Sequence, residues 1–173
     1  MDAARGVGLA EKERAEQGFV QGVMDESALA ALQDGTGIFV AESDGVLAGF
    51  AITCAPDGTG NAAALAALEA VRDELADPAP ELFLYGPTVV SPDFRGRGVL
   101  TALLTALSTD LAPRFDVGVA MVDGANAKSL AVHEHYGMRR TKQYEVNGRT
   151  YFAFSFEPKA FAARERDPGC GSA

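Results

Sequence analysis

Arg95, Gly96, Arg97 and Gly98 stand in a row between an apolar, β-like segment and a run with the periodicity of a helix. Such a turn suits an anion. The two glycines lack a Cβ, so the backbone can bend sharply and approach a ligand closely. The first N–H groups of the following helix have no partner inside it, and the positive end of its dipole favours phosphate. Arg95 and Arg97 add permanent charge and planar donors for phosphate oxygens.

The turn works only if strand, turn and helix follow one another directly. Residues 81–90 supply β-branched and aromatic side chains, and past the turn Val99, Leu100, Leu103, Leu104 and Leu107 fall on one side of a helix. Residues 116–122 form an apolar run of strand length, followed by Asp123-Gly124 and a helical stretch over 126–136 that Gly137 closes. Hairpins are predicted where 37–42 and 46–53 flank Asp44-Gly45, and where 142–146 and 149–156 flank Asn147-Gly148. Asn61 caps an Ala-rich helix in which Leu65, Leu68, Val71 and Leu75 recur every three or four residues. Residues 11–33 read as two helices broken near Gly18 and Gly22, with Phe19, Val23, Leu29 and Leu32 inward. The expected organisation is one domain over 1–166 and a frayed tail over 167–173.

Bulk composition narrows the classes. A chain of 173 residues with 47% hydrophobic residues can bury a core as one domain. A formal charge of -9 excludes a general nucleic-acid binder, which needs net positive surface, and leaves a small anionic ligand for the local arginines. Cys54 and Cys170 make neither a disulfide framework nor a metal site, so a reduced, cytoplasmic setting is the simplest expectation. No apolar run reaches bilayer length and no membrane partner is expected.

Two familiar phosphate loops do not fit the turn. A Walker-type loop needs Lys and then Ser or Thr after its last glycine, and a dinucleotide loop needs a third glycine where Thr101 stands. The stretch from Val90 to Gly98, with its amphipathic helix, instead resembles the acetyl-CoA signature of the GNAT N-acetyltransferase superfamily: Arg or Gln, two residues, Gly, one residue, then Gly or Ala. Arg95 and Gly98 hold its first and fourth positions, while Leu100 departs at the sixth. Leu100 either points into the core or crowds the approach of a pyrophosphate. Asn126, Ser129, His133, Gly137 and Met138 resemble the family's second motif, an Asn-x-x-Ser/Ala helix ending in an aromatic or His and then Gly-Phe. The likeness covers about residues 8–157 and keeps the family's order.

The resemblance implies an α+β fold: a central mixed, mostly antiparallel twisted sheet of six to seven strands, flanked by about four helices, with a splayed parallel strand pair. It implies acetyl-CoA as co-substrate without a metal. The backbone of Val89 and Val90 would pair with the pantetheine arm, and Arg95, Gly96, Arg97, Gly98, Val99, Leu100 and Thr101 would hold the pyrophosphate. Asn126, Ser129 and His133, three and four residues apart and so on one helix face, would approach the arm from the other side.

The implied reaction is direct attack of a primary amine, from a small molecule or peptide, on the thioester. The family commonly has Tyr where this chain has His133, which makes His133 the first candidate for general acid and Tyr136 the second; His133 could equally just satisfy a backbone carbonyl. Glu81 could act as base through water or be a surface charge. Acceptor recognition would fall to Phe19, Asp25, Glu26, Tyr85 and Tyr144. The other reading is a non-catalytic, regulatory acyl-CoA-binding module. A homodimer is left open.

Overall fold

In the computed structural model, which describes residues 25–75 and 78–164, Asp44 and Gly45 have φ of 52° and 76°, and Asn147 and Gly148 have φ of 52° and 72°. Positive φ at both central residues twists each turn in the sense of its strands, and two tight hairpins result. They join β1 (Ile38–Ser43) to β2 (Val46–Cys54) and β5 (Arg139–Val146) to β6 (Arg149–Phe156). With β3 (Leu82–Val90) and β4 (Val117–Asp123) they make a six-stranded sheet in the order β1-β2-β3-β4-β6-β5. Every neighbouring pair is antiparallel except β3 and β4, so the expected mixed sheet with one parallel pair is present.

Five α-helices are described: α1 (Glu26–Asp34), α2 (Ala62–Glu74), α3 (Val99–Leu111), α4 (Ala127–His135) and α5 (Pro158–Arg164). Side chains alternate across the strands, and each face packs its own helices. Phe83, Tyr85, Phe154 and Phe156 meet Leu103, Leu104, Leu107 and Leu111 of α3 and Phe161 of α5. Leu82, Leu84, Val117, Val119 and Ala153 meet α2 on the opposite face. Helix α5, not anticipated from the sequence, starts on Pro158, a residue suited to a first helical turn, and is held by Phe161 against Phe156 at 5.2 Å.

Helix α2 corrects one expectation. Its inward face is Ala63, Ala64, Ala67, Leu68, Ala70 and Val71, while Leu65 is 41% exposed. The alanines let the helix backbone sit close to the sheet, and that rotation turns Leu65 outward. In α1, Leu29 and Leu32 are half-buried as expected; Phe19 and Val23, with the first of the two predicted helices, lie outside the described residues.

The feature that shapes the site is the parting of the parallel pair. Leu82, Phe83 and Leu84 pair with Val117, Gly118 and Val119, and there the ladder stops although both strands continue. On its other edge β3 carries a bulge, since Ala51 faces Thr88 but Thr53 faces Tyr85. Gly86, with φ of 111°, and Pro87, after a cis peptide bond, occupy that bulge. Only glycine adopts such a φ readily, and Pro87 has no N–H to give to a ladder.

Candidate active site

Past Leu84 and Val119 the two strands diverge, and a cleft of about 520 Å³ opens between them. Tyr85 and Thr88 line it from β3, Met121 and Val122 from β4, and Ser129 and His133 from α4. Ala28, Ala31 and Leu32 of α1 and the buried Cys54 of β2 also line it.

The arginine and glycine turn leads into the N-terminus of α3. Gly96 and Gly98 have φ of 72° and 76°, and a Cβ on either would meet nothing within 4 Å. Gly98 is the N-cap and its carbonyl accepts from Ala102 N–H at 2.9 Å, so the N–H groups of Val99, Leu100 and Thr101 precede the first helical hydrogen bond. Those donors and the open space over the turn fit a phosphate-bearing ligand. The Arg97 guanidinium lies 5.6 Å from the Phe94 ring centroid. Val99 and Leu100 pack against the core on the α3 side, so Leu100 takes the inward of its two options.

A cation missed in the sequence joins this turn. Lys128 of α4 is half-buried, and burial, with the Arg95 guanidinium as second cause, lowers its ammonium pKa. Two cations within each other's field make a place where an anion is stabilised. Lys128 lies inside the Asn126–Ser129 motif itself, so its position was the available signal.

Helix α4 is set by its cap. The Asn126 side chain accepts from Ser129 N–H at 3.1 Å, and Asn126 is buried. One turn on, the Ser129 carbonyl lies 2.7 Å from His133 Nδ1. A carbonyl oxygen only accepts, so Nδ1 carries the proton, and in the neutral ring Nε2 carries the lone pair. The imidazole packs 5.1 Å from Phe154 and 6.0 Å from Tyr85 between centroids. Part of the residue reaches solvent, but desolvation of the ring lowers its pKa from the ordinary value, partly opposed by the Ser129 bond. Burial likewise pushes the Tyr85 phenol up to about 12, which keeps it neutral.

The other expected site residues are scattered. The Tyr136 hydroxyl lies 2.8 Å from Thr101 Oγ1, joining α4 to the first turn of α3. Val89 and Val90 pair with Phe50 and Gly49 of β2 beyond the last β3–β4 pair. Glu81 is exposed before β3, its N–H donating to Asp116 Oδ2 at 3.1 Å, and it does not line the cleft. The Tyr144 hydroxyl donates to the Ala63 carbonyl at 2.7 Å, and its ring stacks on Tyr151 at 5.9 Å, which is a packing arrangement. Asp25 caps α1 by accepting from Ala28 N–H at 2.8 Å, and Glu26 is exposed in the first turn. Phe19 lies outside the described residues. Asp123, read in the sequence only as part of the Asp123-Gly124 step after the strand, accepts from Ala125 N–H at 2.9 Å and pairs with Arg149, fixing the end of β4 beside β6. Among the described residues no group of three metal-ligating side chains occurs, and no helix is long and apolar enough to cross a membrane.

Comparison with known proteins agrees with this architecture. A family model described as the acetyltransferase (GNAT) family matches residues 9–138. No curated protein sequence matches the chain. Among solved structures, the fold is similar to the ribosomal-protein-S18-alanine N-acetyltransferase from Escherichia coli, at 19% identity and a TM-score of 0.52, covering 85% of each chain. It is also similar to smu.2055 from Streptococcus mutans UA159, at 11% identity and a TM-score of 0.56, covering 80% of this chain and 81% of that one. A third likeness is to the ribosomal-protein-alanine N-acetyltransferase from Brucella melitensis, at 18% identity and a TM-score of 0.50, over 72% and 70% of the two chains. At these identities the structures establish the likeness of fold alone, whereas the family match spans most of the sequence. The chain belongs to the acetyltransferase (GNAT) family.

Proposed function

We propose that this chain moves an acetyl group from acetyl-CoA to a primary amine. The observation that carries the reading is that the run of β3 beyond Leu84, paired with β2 but no longer with β4, borders the cleft at Tyr85 to Thr88 and leads through the arginine and glycine turn into the N-terminus of α3, where Gly98 gives no side-chain cap. Gly96, Gly98 and the N–H groups of Val99, Leu100 and Thr101 hold the pyrophosphate, with Arg95, Arg97 and Lys128 supplying charge. The backbone of Val89 and Val90 aligns the pantetheine arm, and Asn126 and Ser129 border it from α4. Acetyl-CoA brings an activated carbonyl, whose oxygen gains negative charge as the amine attacks; a β3 backbone N–H then stabilises that charge. Tyr85 borders the place where the acceptor sits.

Calorimetry with CoA, followed by thiol release from acetyl-CoA across a panel of amines, tests this. Binding with amine-dependent release is expected, and no CoA binding contradicts it. One observation favours a second reading, a non-catalytic acyl-CoA-binding module: Glu81, the carboxylate at the head of β3, is away from the cleft. Tight CoA binding with no turnover above background across the panel selects that reading.

A further inference from the structure

His133 of α4 lines the cleft, and amide formation from a thioester requires two proton transfers, one from the amine and one to the sulfur. Its Nδ1–H is tied to the Ser129 carbonyl at 2.7 Å, which fixes the ring on α4 and assigns the lone pair to Nε2. The ring borders the cleft, packed against Tyr85 and Phe154. Other ionisable groups near it are otherwise occupied. On α4, Glu134 pairs with Arg140, whose guanidinium lies over the Phe154 ring at 5.7 Å, and the Tyr136 hydroxyl meets Thr101. Lys128, one residue before Ser129, is a cation, and His135 rests on Tyr136 at 5.5 Å. On β3, the Tyr85 phenol is buried and neutral. Asp123, the acid lining the cleft among the described residues, pairs with Arg149.

We infer that Nε2 of His133 is a proton relay, first base and then acid; this rests on the proposed acetyl transfer. The amine nitrogen bonds to the thioester carbon and the carbon–sulfur bond breaks, its electron pair leaving on sulfur. One proton of the attacking amine passes to Nε2, and the same proton goes from Nε2 to the CoA thiolate. The ring ends as it began, with Nδ1–H held by Ser129, so an amine that arrives neutral, its ammonium proton already lost to solvent, needs no second base. A group confined to donating would instead have to start protonated.

Two readouts test it. In the nitrogen NMR spectrum of histidine-labelled protein, which has two histidines, His133 should show Nδ1–H and a bare Nε2 at pH 7.5, with and without CoA. An Nε2–H tautomer overturns the relay whatever the acceptor. Kinetics then use acetyl-CoA and the best acceptor among tryptamine, spermidine, lysine and an Ala-initiated peptide. His133→Gln should lose about a hundredfold or more in kcat, with CoA affinity by calorimetry changed less than about threefold. Added imidazole should partly restore His133→Ala. His133→Tyr, which can donate but starts without a basic nitrogen, should stay at least about tenfold below the unaltered chain from pH 6 to 8. If His133→Tyr matches the unaltered chain, or His133→Gln keeps its kcat, the relay is wrong while the transferase reading stands. If the unaltered chain binds CoA but turns over none of the amines, the transferase reading falls and takes the relay with it.

Discussion

The Thr101 and Tyr136 hydroxyl oxygens lie 2.8 Å apart, bonding the first turn of α3 to the C-cap of α4. The bond links the helix that follows the glycine turn to the helix that carries His133, so the two halves of the proposed CoA site share one brace. Tyr136→Phe removes it at a cost of about 1 kcal/mol. The expected result is a Tm lower by a few degrees and CoA affinity weaker by roughly three- to fivefold. Turnover at saturating acetyl-CoA should stay within about threefold, because the hydroxyl serves as a brace; a loss of about a hundredfold would make Tyr136 the proton donor instead.

Lys128 offers a separate check on where the phosphates lie. Its half-buried ammonium and Arg95 raise the local positive potential, and a bound anion relieves that repulsion. Lys128→Met should weaken CoA by roughly tenfold at low salt, with the difference shrinking as ionic strength rises. Equal affinities at low salt would place the phosphates elsewhere.

Gly118 tests the geometry of the parallel pair. A Cβ there would lie 2.4 Å from the Phe156 ring and 2.8 Å from the Phe83 ring, and both rings are buried. Neither ring has room to retreat without disturbing α3 and α5, so Gly118→Ala should cost about 2 to 3 kcal/mol in urea unfolding. A change below about 0.5 kcal/mol would mean the two rings are not packed over β4.

The His133 imidazole sets a pH dependence of stability. Its folded-state pKa is lowered, by burial first, so the unfolded chain takes up the proton at higher pH than the folded one. Stability from this group is complete above the ordinary value near 6.5, and it falls as pH drops from there towards the lowered pKa. His133→Gln should remove that component, so unfolding free energies of the two proteins converge or cross as pH is lowered from 7 to 5. Parallel pH curves would show that the ring is not desolvated.

Local chemistry explains how much of this was legible in the chain. Asp44-Gly45 and Asn147-Gly148 announced both hairpins because few residues accept positive φ, and Asn61 and Asn126 announced helix starts because their side chains cap. Gly96 and Gly98 announced the turn for the same conformational reason. What stayed hidden depends on distant partners. Leu65 faces solvent because four neighbouring alanines decide the rotation of α2, and Ala28, Leu32 and Cys54 line the cleft with no motif to mark them. Tyr144 looked available for a substrate until Ala63, far away in sequence, supplied the acceptor for its hydroxyl. The proton on His133 Nδ1 is visible only once the Ser129 carbonyl is seen beside it.

The proposed CoA site depends most on Gly98. With φ of 76° and open space where a Cβ would sit, it lets a ligand reach the backbone at the head of α3. The direct measurement is calorimetric titration of CoA into the unaltered chain and into Gly98→Leu, with circular dichroism confirming that the variant is folded. Saturable one-to-one binding to the first is expected, with loss of at least about a hundredfold in affinity for the second, because the side chain fills the ligand's space. Equal affinity in a folded Gly98→Leu protein would contradict it.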